Sequence, residues 1–410
     1  MGILLKMALR NIFRNKKRSL ITLSSVGFSL GTLIFLSSFV FGAQQQMKEN
    51  VTRTLTGDLQ ILPKSLENIY NTNGAIEDPE KIRILLKGDL HIKGVAENIV
   101  GTGLASSSST TRSLPTFIVG LEPGKEAAIG NEMRIIQGRH LAEGDIQGVI
   151  LGEKMREILD MKLGDKVIVT TQDYYGSLSG APFYLIGTFE VGNDQLDSSN
   201  LLILKSSAQK LLSFDQRISK FILKIDSHHT PDEMAKILKQ EINNPDLKVM
   251  TWEELIPMVS QLIRFQNGMV SIVMIIVLVV VATGILNTLL MSTLERTREF
   301  GLMMALGTHS LRILILIIFE SLCLTSLGTI TGSLLGILTT LYFGHMGINL
   351  SRFLSTFSNL LIGSRVFPQI NWSSLILFSG VILVSSLLVS LYPGWRASKL
   401  RPIEAMRQTS

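Results

Sequence analysis

The stretch FQNGMVSIVMIIVLVVVATGILNTLLMSTLERTREFGLMMALG, residues 265–307, decides the fold of this chain. It opens with an apolar run, Phe265–Met291, that contains no charged residue. An α-helix rises ~1.5 Å per residue, so ~20 such residues cross a hydrocarbon core. Charges begin at Glu295, and they must lie outside the hydrocarbon. The stretch therefore predicts a transmembrane helix followed by a segment beside water.

Three further apolar runs, at 20–43, 313–343 and 372–392, are long enough to cross a membrane and contain no Lys or Arg. A polar block separates the first run from the other three, and it is long enough to bury a core of its own. The sequence thus predicts a membrane protein with four transmembrane α-helices, one plus three, and a large α+β extracytoplasmic domain. The predicted divisions are a basic amphipathic helix at 1–18, spans at 19–43, 265–292, 313–343 and 372–392, the outer domain at 44–264, a helix and loop at 293–312, an outer loop at 344–371 and a tail at 393–410.

The distribution of charge predicts the orientation. The chain has a formal charge of +6, yet residues 44–264 hold 24 Lys and Arg against 29 Asp and Glu. The excess cations therefore lie in short segments beside the spans, which argues against a nucleic-acid partner. Loops rich in Lys and Arg stay in the cytoplasm, so both termini and the 293–312 segment are predicted there. The outer domain is then extracytoplasmic.

Two alternatives concern the N-terminus. The first apolar run is either a span or a cleaved signal peptide, although both the run and its basic lead exceed the usual signal lengths. Residues 2–18 are either disordered or a surface helix, because Ile3, Met7 and Ile12 recur at helical spacing among Lys6 and Arg10. The patterns favour a span preceded by a surface helix.

The outer domain shows short strand and helix patterns without a regular βαβ order, so a Rossmann-type domain is not predicted. The serine-rich run Leu104–Ser113 is predicted to be a loop. The segment Gln172–Pro182 is predicted to be a long hairpin between two strands. Its tyrosines, Tyr174 and Tyr175, either contact a partner or pack against their own domain. The predicted strands are 59–62, 117–121, 149–151, 166–171, 183–191, 201–204, 221–225 and 249–251, and the predicted helices are 78–87, 153–160, 206–212 and 230–243.

Motifs for catalysis or metal binding are weak. Gly120–Lys125 resembles a phosphate-binding loop but has three residues between its glycines instead of four, and Glu126 follows the lysine. The adjacent pair His228–His229 chelates a metal poorly, because neighbouring side chains on a strand face opposite ways. Cys323 is the only cysteine. The sequence therefore predicts no enzyme, no metal site and no nucleotide site in this chain.

The segment after the second span places Met303, Met304 and Leu306 near water behind a charged turn. An apolar surface with a charged rim favours a docking site, and methionine adapts to imperfect pockets. The alternative is an interfacial loop that lies on lipid headgroups.

The motifs LNTLLMSTLERTREFGLMMALG (286–307) and YPGWRASKLRPIEAMR (392–407) resemble the FtsX-like ABC transporter permease family. The outer segment GRHLAEGDIQGVILGEKMREILDMKLGDKVIV (138–169) is similar to the MacB-type periplasmic core. Together these resemble permeases of the MacB and lipoprotein-releasing LolC–LolE type. MacB carries a fused ATPase, whereas this chain starts with a basic segment, so the resemblance favours the form with a separate ATPase.

This resemblance implies a permease subunit in a bacterial cytoplasmic membrane that transmits mechanical motion. ATP and Mg²⁺ would be bound by a separate ATPase subunit, with no cofactor in this chain. A second permease subunit, identical or paralogous, and a periplasmic carrier or adaptor are the other implied partners, besides the bilayer. The cargo would be lipoprotein, lipid-like or otherwise amphiphilic. The rival function is an FtsX-like scaffold that activates an extracytoplasmic cell-wall hydrolase.

The resemblance also assigns residues. The hairpin residues Tyr174, Tyr175, Leu178 and Pro182 correspond to the region that forms a carrier-binding hook in LolC. The residues that match the ATPase-coupling element are Glu295, Arg296, Arg298, Glu299, Phe300, Gly301, Met303, Met304, Leu306 and Gly307.

Two features inside the spans complete the predicted site. Gly328, Gly332 and Gly336 recur every fourth residue, so they share one helix face and predict a close packing seam. Glu320 is the only acidic or basic residue within the spans, where an acidic group costs ~2.5–3.5 kcal/mol at mid-span. It either faces the interior and bonds another helix, extends to the cytoplasmic interface, or relays protons.

Overall fold

The computed structural model describes residues 10, 14, 16–66, 74–130, 133–191, 194–226, 228–350 and 365–400. The chain forms two compact units. The membrane unit combines residues up to 44 with 263–349 and the chain from 365 onward, and the outer unit comprises residues 45–262. The predicted surface helix at 1–18, the outer loop at 344–371 and the tail lie largely outside the described residues.

The helices and strands are as follows. The helices are α1 (Lys16–Val51), α2 (Pro79–Gly88), α3 (Pro123–Ala128), α4 (Glu153–Leu159), α5 (Asp194–Ser199), α6 (Lys205–Leu212), α7 (Pro231–Ile242), α8 (Trp252–Leu255), α9 (Pro257–Glu295), α10 (Thr297–Ala305), α11 (Ser310–Met346) and α12 (Trp372–Ser398). The strands are β1 (Leu59–Pro63), β2 (Ile92–Ser107), β3 (Ser113–Leu121), β4 (Arg134–Gly138), β5 (Gly148–Gly152), β6 (Lys166–Gln172), β7 (Leu178–Glu190), β8 (Asn200–Leu204), β9 (Lys220–Ile225), β10 (Leu247–Thr251), β11 (Ile348–Asn349) and β12 (Arg365–Val366).

Four helices, α1, α9, α11 and α12, are long and apolar enough to cross a membrane. This confirms the predicted fold class of one span plus three. The helices extend beyond the apolar runs: α9 begins at Pro257, eight residues before Phe265, and α12 continues through Pro393 to Ser398. Hydropathy marks only the part of a helix that lies in hydrocarbon, so it does not locate the helix ends.

The glycine face of α11 packs against α1. A methyl group added to Gly332 would lie 2.6 Å from the carbonyl oxygen of Gly27, and one added to Gly336 would lie 2.8 Å from Ile34 Cβ. Gly328 meets Val26 on the same helix α1. Small residues allow this close approach of two backbones. The seam predicted from the glycine spacing is therefore an internal contact between α1 and α11.

Six strands of the outer unit form a closed ring. The pairs run β2–β3, β3–β8, β8–β5, β5–β7, β7–β6 and β6–β2, and the pairs β3–β8 and β5–β7 are parallel. The interior is filled by apolar side chains, including Ile118, Leu151, Val169 and Phe183. The ring is thus a packed barrel with its own core.

A second layer is built on the same long strand. The first half of β2 pairs with β9, which continues to β1 and β10 as an antiparallel sheet. Helices α2 and α7 cover this sheet with Ile82, Leu86, Met234 and Leu238. The 16-residue β2 therefore belongs to both the barrel and the second sheet.

The predicted loop at Leu104–Ser113 is wrong over much of its length. β2 continues to Ser107 and β3 begins at Ser113, so the turn between them is short. Leu104 pairs with Pro115 on one side and with Thr170 on the other. Serine and glycine are depleted in strands, yet main-chain pairing to two neighbours holds this stretch in the sheet.

Candidate functional site

The short helix α10 is amphipathic and is fixed to the membrane unit by its inner face. Thr297, Phe300 and Gly301 are buried, at the spacing that places residues on one side of a helix. The Phe300 ring is fully buried and packs in a cluster formed by α11 and α12. The other buried members of that cluster are Ile313, Leu316, Ile317 and Ala397.

A buried ion pair joins the start of α10 to α11. Arg296 Nη1 donates a hydrogen bond to Glu320 Oε2 at 3.0 Å, and Arg296 Nε donates to Glu299 Oε2 at 2.9 Å. The guanidinium carbon lies 5.0 Å from the centre of the Phe300 ring. Arg296 is 6 % exposed and Glu320 is 8 % exposed. Because a buried charge is tolerated only with a partner, the pair accounts for both residues.

Two more arginines, one in α1 and one just before it, contact this region. Arg18 donates two hydrogen bonds to the Glu295 carboxylate, at 2.6 and 2.9 Å. Arg14 lies 2.8 Å from Glu299. Burial alone would raise the pKa of Glu299, but the hydrogen bonds from Arg296 and Arg14 outweigh it and lower that pKa. We call the set Arg14, Arg18, Glu295, Arg296, Glu299, Phe300 and Glu320 the junction.

The outer face of α10 is exposed. Arg298 is exposed, Leu302 is 53 % exposed and Leu306 is 80 % exposed. Gly307 follows with φ +94°, a left-handed conformation that glycine adopts readily and that ends the helical stretch. The surface formed by Arg298, Leu302 and Leu306, which we call the α10 face, therefore combines apolar groups with a cation.

The predicted coupling residues divide between the two faces of this segment. Arg296 was expected on the docking surface but is buried instead, because it neutralises Glu320. Leu302 was missed, although its spacing from Arg298 and Leu306 places it on their face. Glu295, Arg298, Glu299, Leu306 and Gly307 are exposed, Met303 and Met304 are half-buried, and Arg296, Phe300 and Gly301 are buried.

The structure also distinguishes two of the three alternatives for Glu320, an interior contact and extension to the interface. Its carboxylate points inside and accepts from Arg296, so it does not extend to the interface. The residue that bonds it, 24 positions earlier in the chain, was not identified from the sequence. The charged sequence Glu295–Glu299 beside a span was the available signal, since an acid in hydrocarbon requires a cation near it.

The hairpin in the outer unit has one anchored tyrosine and one exposed tyrosine. The Tyr174 hydroxyl donates to Glu77 at 2.8 Å, and Arg217 lies over the Tyr174 ring at 4.6 Å. Hydrogen bonds from Arg217 and then from Tyr174 lower the pKa of Glu77. Tyr174 therefore packs against its own domain. The hairpin residues that point outward are Tyr175, Leu178 and Pro182.

Within the described ranges, no group of three His, Cys, Asp or Glu side chains has a geometry that could hold a metal ion.

Two family models match the chain. Residues 19–241 match the MacB-like periplasmic core domain, and residues 271–402 match the FtsX-like permease C-terminal domain. The first match alone covers more than half of the chain, and the two leave only a short stretch between them.

Relatives match over nearly the full length. An uncharacterized ABC transporter permease of Methanocaldococcus jannaschii is 24% identical over 98% of this chain and 96% of its own length. The uncharacterized ABC transporter permease YknZ of Bacillus subtilis is 25% identical over 98% of both chains. The lipoprotein-releasing system transmembrane protein LolC of Xylella fastidiosa is 21% identical over 96% of this chain and 95% of its own.

The order of the two matched domains agrees with the geometry. The periplasmic core model spans most of α1, the barrel and its second sheet except β10, and the permease model spans most of α9 together with α10, α11 and α12. Members of this family generally work with an ATPase subunit and a partner permease. The chain belongs to the FtsX-like, MacB-type family of ABC transporter permeases, and it is a membrane protein with a large extracytoplasmic domain.

Proposed function

We propose that this permease transmits ATP-driven motion from a separate ATPase subunit to its outer domain, in order to extract or export an amphiphilic cargo such as a lipoprotein or a lipid. The ATPase binds ATP and Mg²⁺, and this chain binds neither. Both termini and α10 lie in the cytoplasm, in agreement with the cations that flank the spans. A second permease subunit, identical or paralogous, completes the transporter.

The α10 face is the observation that carries this proposal. It presents Leu302 and Leu306 beside Arg298, which is a composition suited to a protein partner. The inner face of the same helix is fixed by Phe300 and by the Arg296–Glu320 pair. A force applied to the α10 face is therefore passed to α11 and α12 instead of bending a free loop.

Two helices then carry the displacement along the chain. Arg18 belongs to α1 and bonds Glu295 at the end of α9, so α1 moves with the rest of the junction. Helix α1 has 36 residues and α9 has 39, which at ~1.5 Å per residue exceeds the ~30 Å of a hydrocarbon core. Both helices lead in sequence into the outer domain. The exposed Tyr175 and Leu178 of the hairpin contact a carrier or adaptor there.

The test is purification of the tagged full chain from its native membrane, followed by identification of the proteins that remain bound and assay of ATP hydrolysis. We expect an ABC ATPase to co-purify and Leu302→Asp to lose it. Leu90→Asp is the matched control, because Leu90 is 95 % exposed and lies in the outer unit. Equal recovery of the ATPase with both variants contradicts the proposed contact. Recovery of a cell-wall hydrolase together with the ATPase, without a bound amphiphilic cargo, favours the signalling scaffold instead.

A further inference from the structure

The outer unit contains an apolar cavity on the outside of the barrel. Its volume is about 630 Å³, within the ~300–1,000 Å³ typical of small-molecule sites. Leu121, Ile150 and Leu202 line it from strands β3, β5 and β8. A smaller cavity of about 80 Å³ adjoins it, and the two share Met133 and Leu202. Apolar side chains make up most of the lining of both cavities.

Two polar side chains from neighbouring strands line the smaller cavity. Asn98 and Lys220 are paired neighbours on β2 and β9, and both line this cavity. Asn98 is 4 % exposed, and its Oδ1 accepts no hydrogen bond from any described residue. A buried acceptor left unsatisfied costs ~1–3 kcal/mol. This unmet acceptor points to a ligand that donates a hydrogen bond.

Lys220 is the cation that lines the smaller cavity, and Glu126 is the carboxylate whose charge acts on it. Burial lowers the pKa of Lys220 to about 8, and the charge of Glu126 acts in the opposite direction. At neutral pH most of the lysine therefore stays protonated. Among the described residues, Lys220 has no carboxylate within salt-bridge distance. An ammonium group without a salt-bridge partner beside an apolar cavity favours an anionic ligand group.

The position of Glu126 sets the direction of that ligand. Glu126 is 4 % exposed and lines the larger cavity, so a negative head at that end would meet a buried like charge. Arg134 also lines that cavity, but it is exposed and its guanidinium lies 3.8 Å from the Glu190 carboxylate. The anionic head is therefore favoured at the Lys220 end, and an apolar chain at the Leu121 end.

We propose that these adjoining cavities bind a single-chain amphiphile whose anionic head also carries a hydroxyl group. The anion accepts from Lys220 Nζ, the hydroxyl donates to Asn98 Oδ1, and the chain passes Met133 and Leu202 into the larger cavity. Lysophospholipids have this chemistry. The site lies within the outer unit and does not depend on contact with an ATPase, so its failure and the failure of the proposed function are separately measurable.

The test uses the full chain in lipid nanodiscs and a lysophosphatidylglycerol with a photoreactive group in its acyl chain. Adducts are mapped by mass spectrometry. We expect saturable labelling of peptides that contain Met133–Leu141 or Asn200–Leu204. Lys220→Gln lowers this labelling at least tenfold, Asn98→Ala lowers it several-fold, and Leu202→Trp blocks it by filling the cavity. Lys239→Gln, at an exposed lysine of α7, leaves it unchanged.

Competitors define the head group. Unlabelled lysophosphatidylglycerol displaces the probe, palmitate displaces it at least fivefold less well because it lacks the hydroxyl, and hexadecyltrimethylammonium does not displace it. Equal labelling of Lys220→Gln and Lys239→Gln overturns the proposal, as does equal displacement by the cationic detergent. Equal displacement by palmitate overturns the role of Asn98. Lys220 is half-buried and glutamine keeps a polar side chain of similar length there, so loss of labelling in Lys220→Gln with an unchanged or higher Tm reflects binding.

Discussion

Arg296 and Glu320 form a buried hydrogen-bonded ion pair, 3.0 Å between Nη1 and Oε2, that links the start of α10 to α11. Glu320 is thereby the anchor of α10 inside the membrane unit. The same arginine also bonds Glu299, so one guanidinium holds two carboxylates.

Removal of the arginine should leave the buried Glu320 carboxylate without the hydrogen bond and the charge of Arg296. We expect Arg296→Met to lower the free energy of unfolding by about 3–5 kcal/mol. Glu320→Gln in the same chain should restore much of that loss, because the second change removes the buried charge. The double-mutant cycle compares the free energies of unfolding, measured in mixed micelles, of the wild type, the two single variants and the double variant. Additive losses would contradict the coupling of the two residues.

Glu320→Gln alone keeps an oxygen that accepts from Arg296, and Arg296 keeps Glu299. We therefore expect ATP hydrolysis and transport to continue in this variant. Loss of both activities in a folded Glu320→Gln protein would instead support a proton relay.

Phe300 and Leu302 lie on opposite faces of α10, so variants of the two residues distinguish a loss of packing from a loss of docking. Phe300→Ala should cost about 3–5 kcal/mol of stability through the cavity it opens. Leu302→Ala should change stability by less than about 0.5 kcal/mol, because the side chain is exposed, yet it should weaken ATPase binding. Thermal unfolding and ATPase co-purification, measured on the same samples, distinguish the two effects. An ATPase affinity that drops only in Phe300→Ala would place the contact elsewhere.

Gly332 limits the approach of α11 to α1. Gly332→Ala places a methyl group 2.6 Å from the carbonyl oxygen of Gly27, so the helices must separate and Tm should fall by several degrees. Gly380→Ala on α12 is the control, since a methyl group there meets no atom within 4 Å. Size-exclusion chromatography after heating measures both variants. The same Tm for the two would show that the seam tolerates a wider spacing.

Glu97 is a buried acid that should make the outer domain sensitive to low pH. It is 3 % exposed and accepts hydrogen bonds from Arg83, at 2.6 and 2.8 Å, and from Lys205. Burial alone would raise the pKa of Glu97, but these bonds lower it from 4.5 to about 2. The stabilisation from its ionised form is complete above about pH 4.5 and is lost as the pH falls toward about 2.

We expect the free energy of unfolding of the wild-type outer domain to fall by up to about 3 kcal/mol over that pH range. We expect Glu97→Gln to be less stable than the wild type at pH 7, and its stability to depend less on pH. Trp252 fluorescence reports unfolding of this domain once Trp372 and Trp395 are replaced by Phe. Parallel pH profiles for the two proteins would assign the acid sensitivity to other carboxylates.

The hairpin separates an anchored residue from exposed ones. Tyr175→Ser with Leu178→Ser should weaken carrier binding and leave basal ATP hydrolysis unchanged, because both side chains are exposed. Tyr174→Phe is the counterpart: it removes the hydrogen bond to Glu77 and should lower outer-domain stability by about 1 kcal/mol. A pull-down with candidate periplasmic proteins measures the first effect. Unchanged capture by the double variant would remove the hairpin from the partner surface.

The sequence predicted the features that depend on one segment. The spans follow from apolar runs, and the glycine face of α11 follows from a four-residue spacing. The partner of that face, α1, was not predictable, because spacing does not specify which helix approaches. Glu320 was recognised as exceptional for the same local reason, but Arg296 was assigned to the surface since only the folded chain brings them together. Strand β2 was missed because Gly101, Gly103 and the serines conceal a stretch that two neighbours stabilise.

The closed ring of strands restricts how another polypeptide attaches to the outer domain. In the described part of this domain, each strand of the ring pairs with two other ring strands over part of its length, and β4 and β10 end the order of paired strands. The strands that have a single partner strand, β4 and β10, are each only five residues long, so a ligand peptide that binds there by strand augmentation finds a short edge.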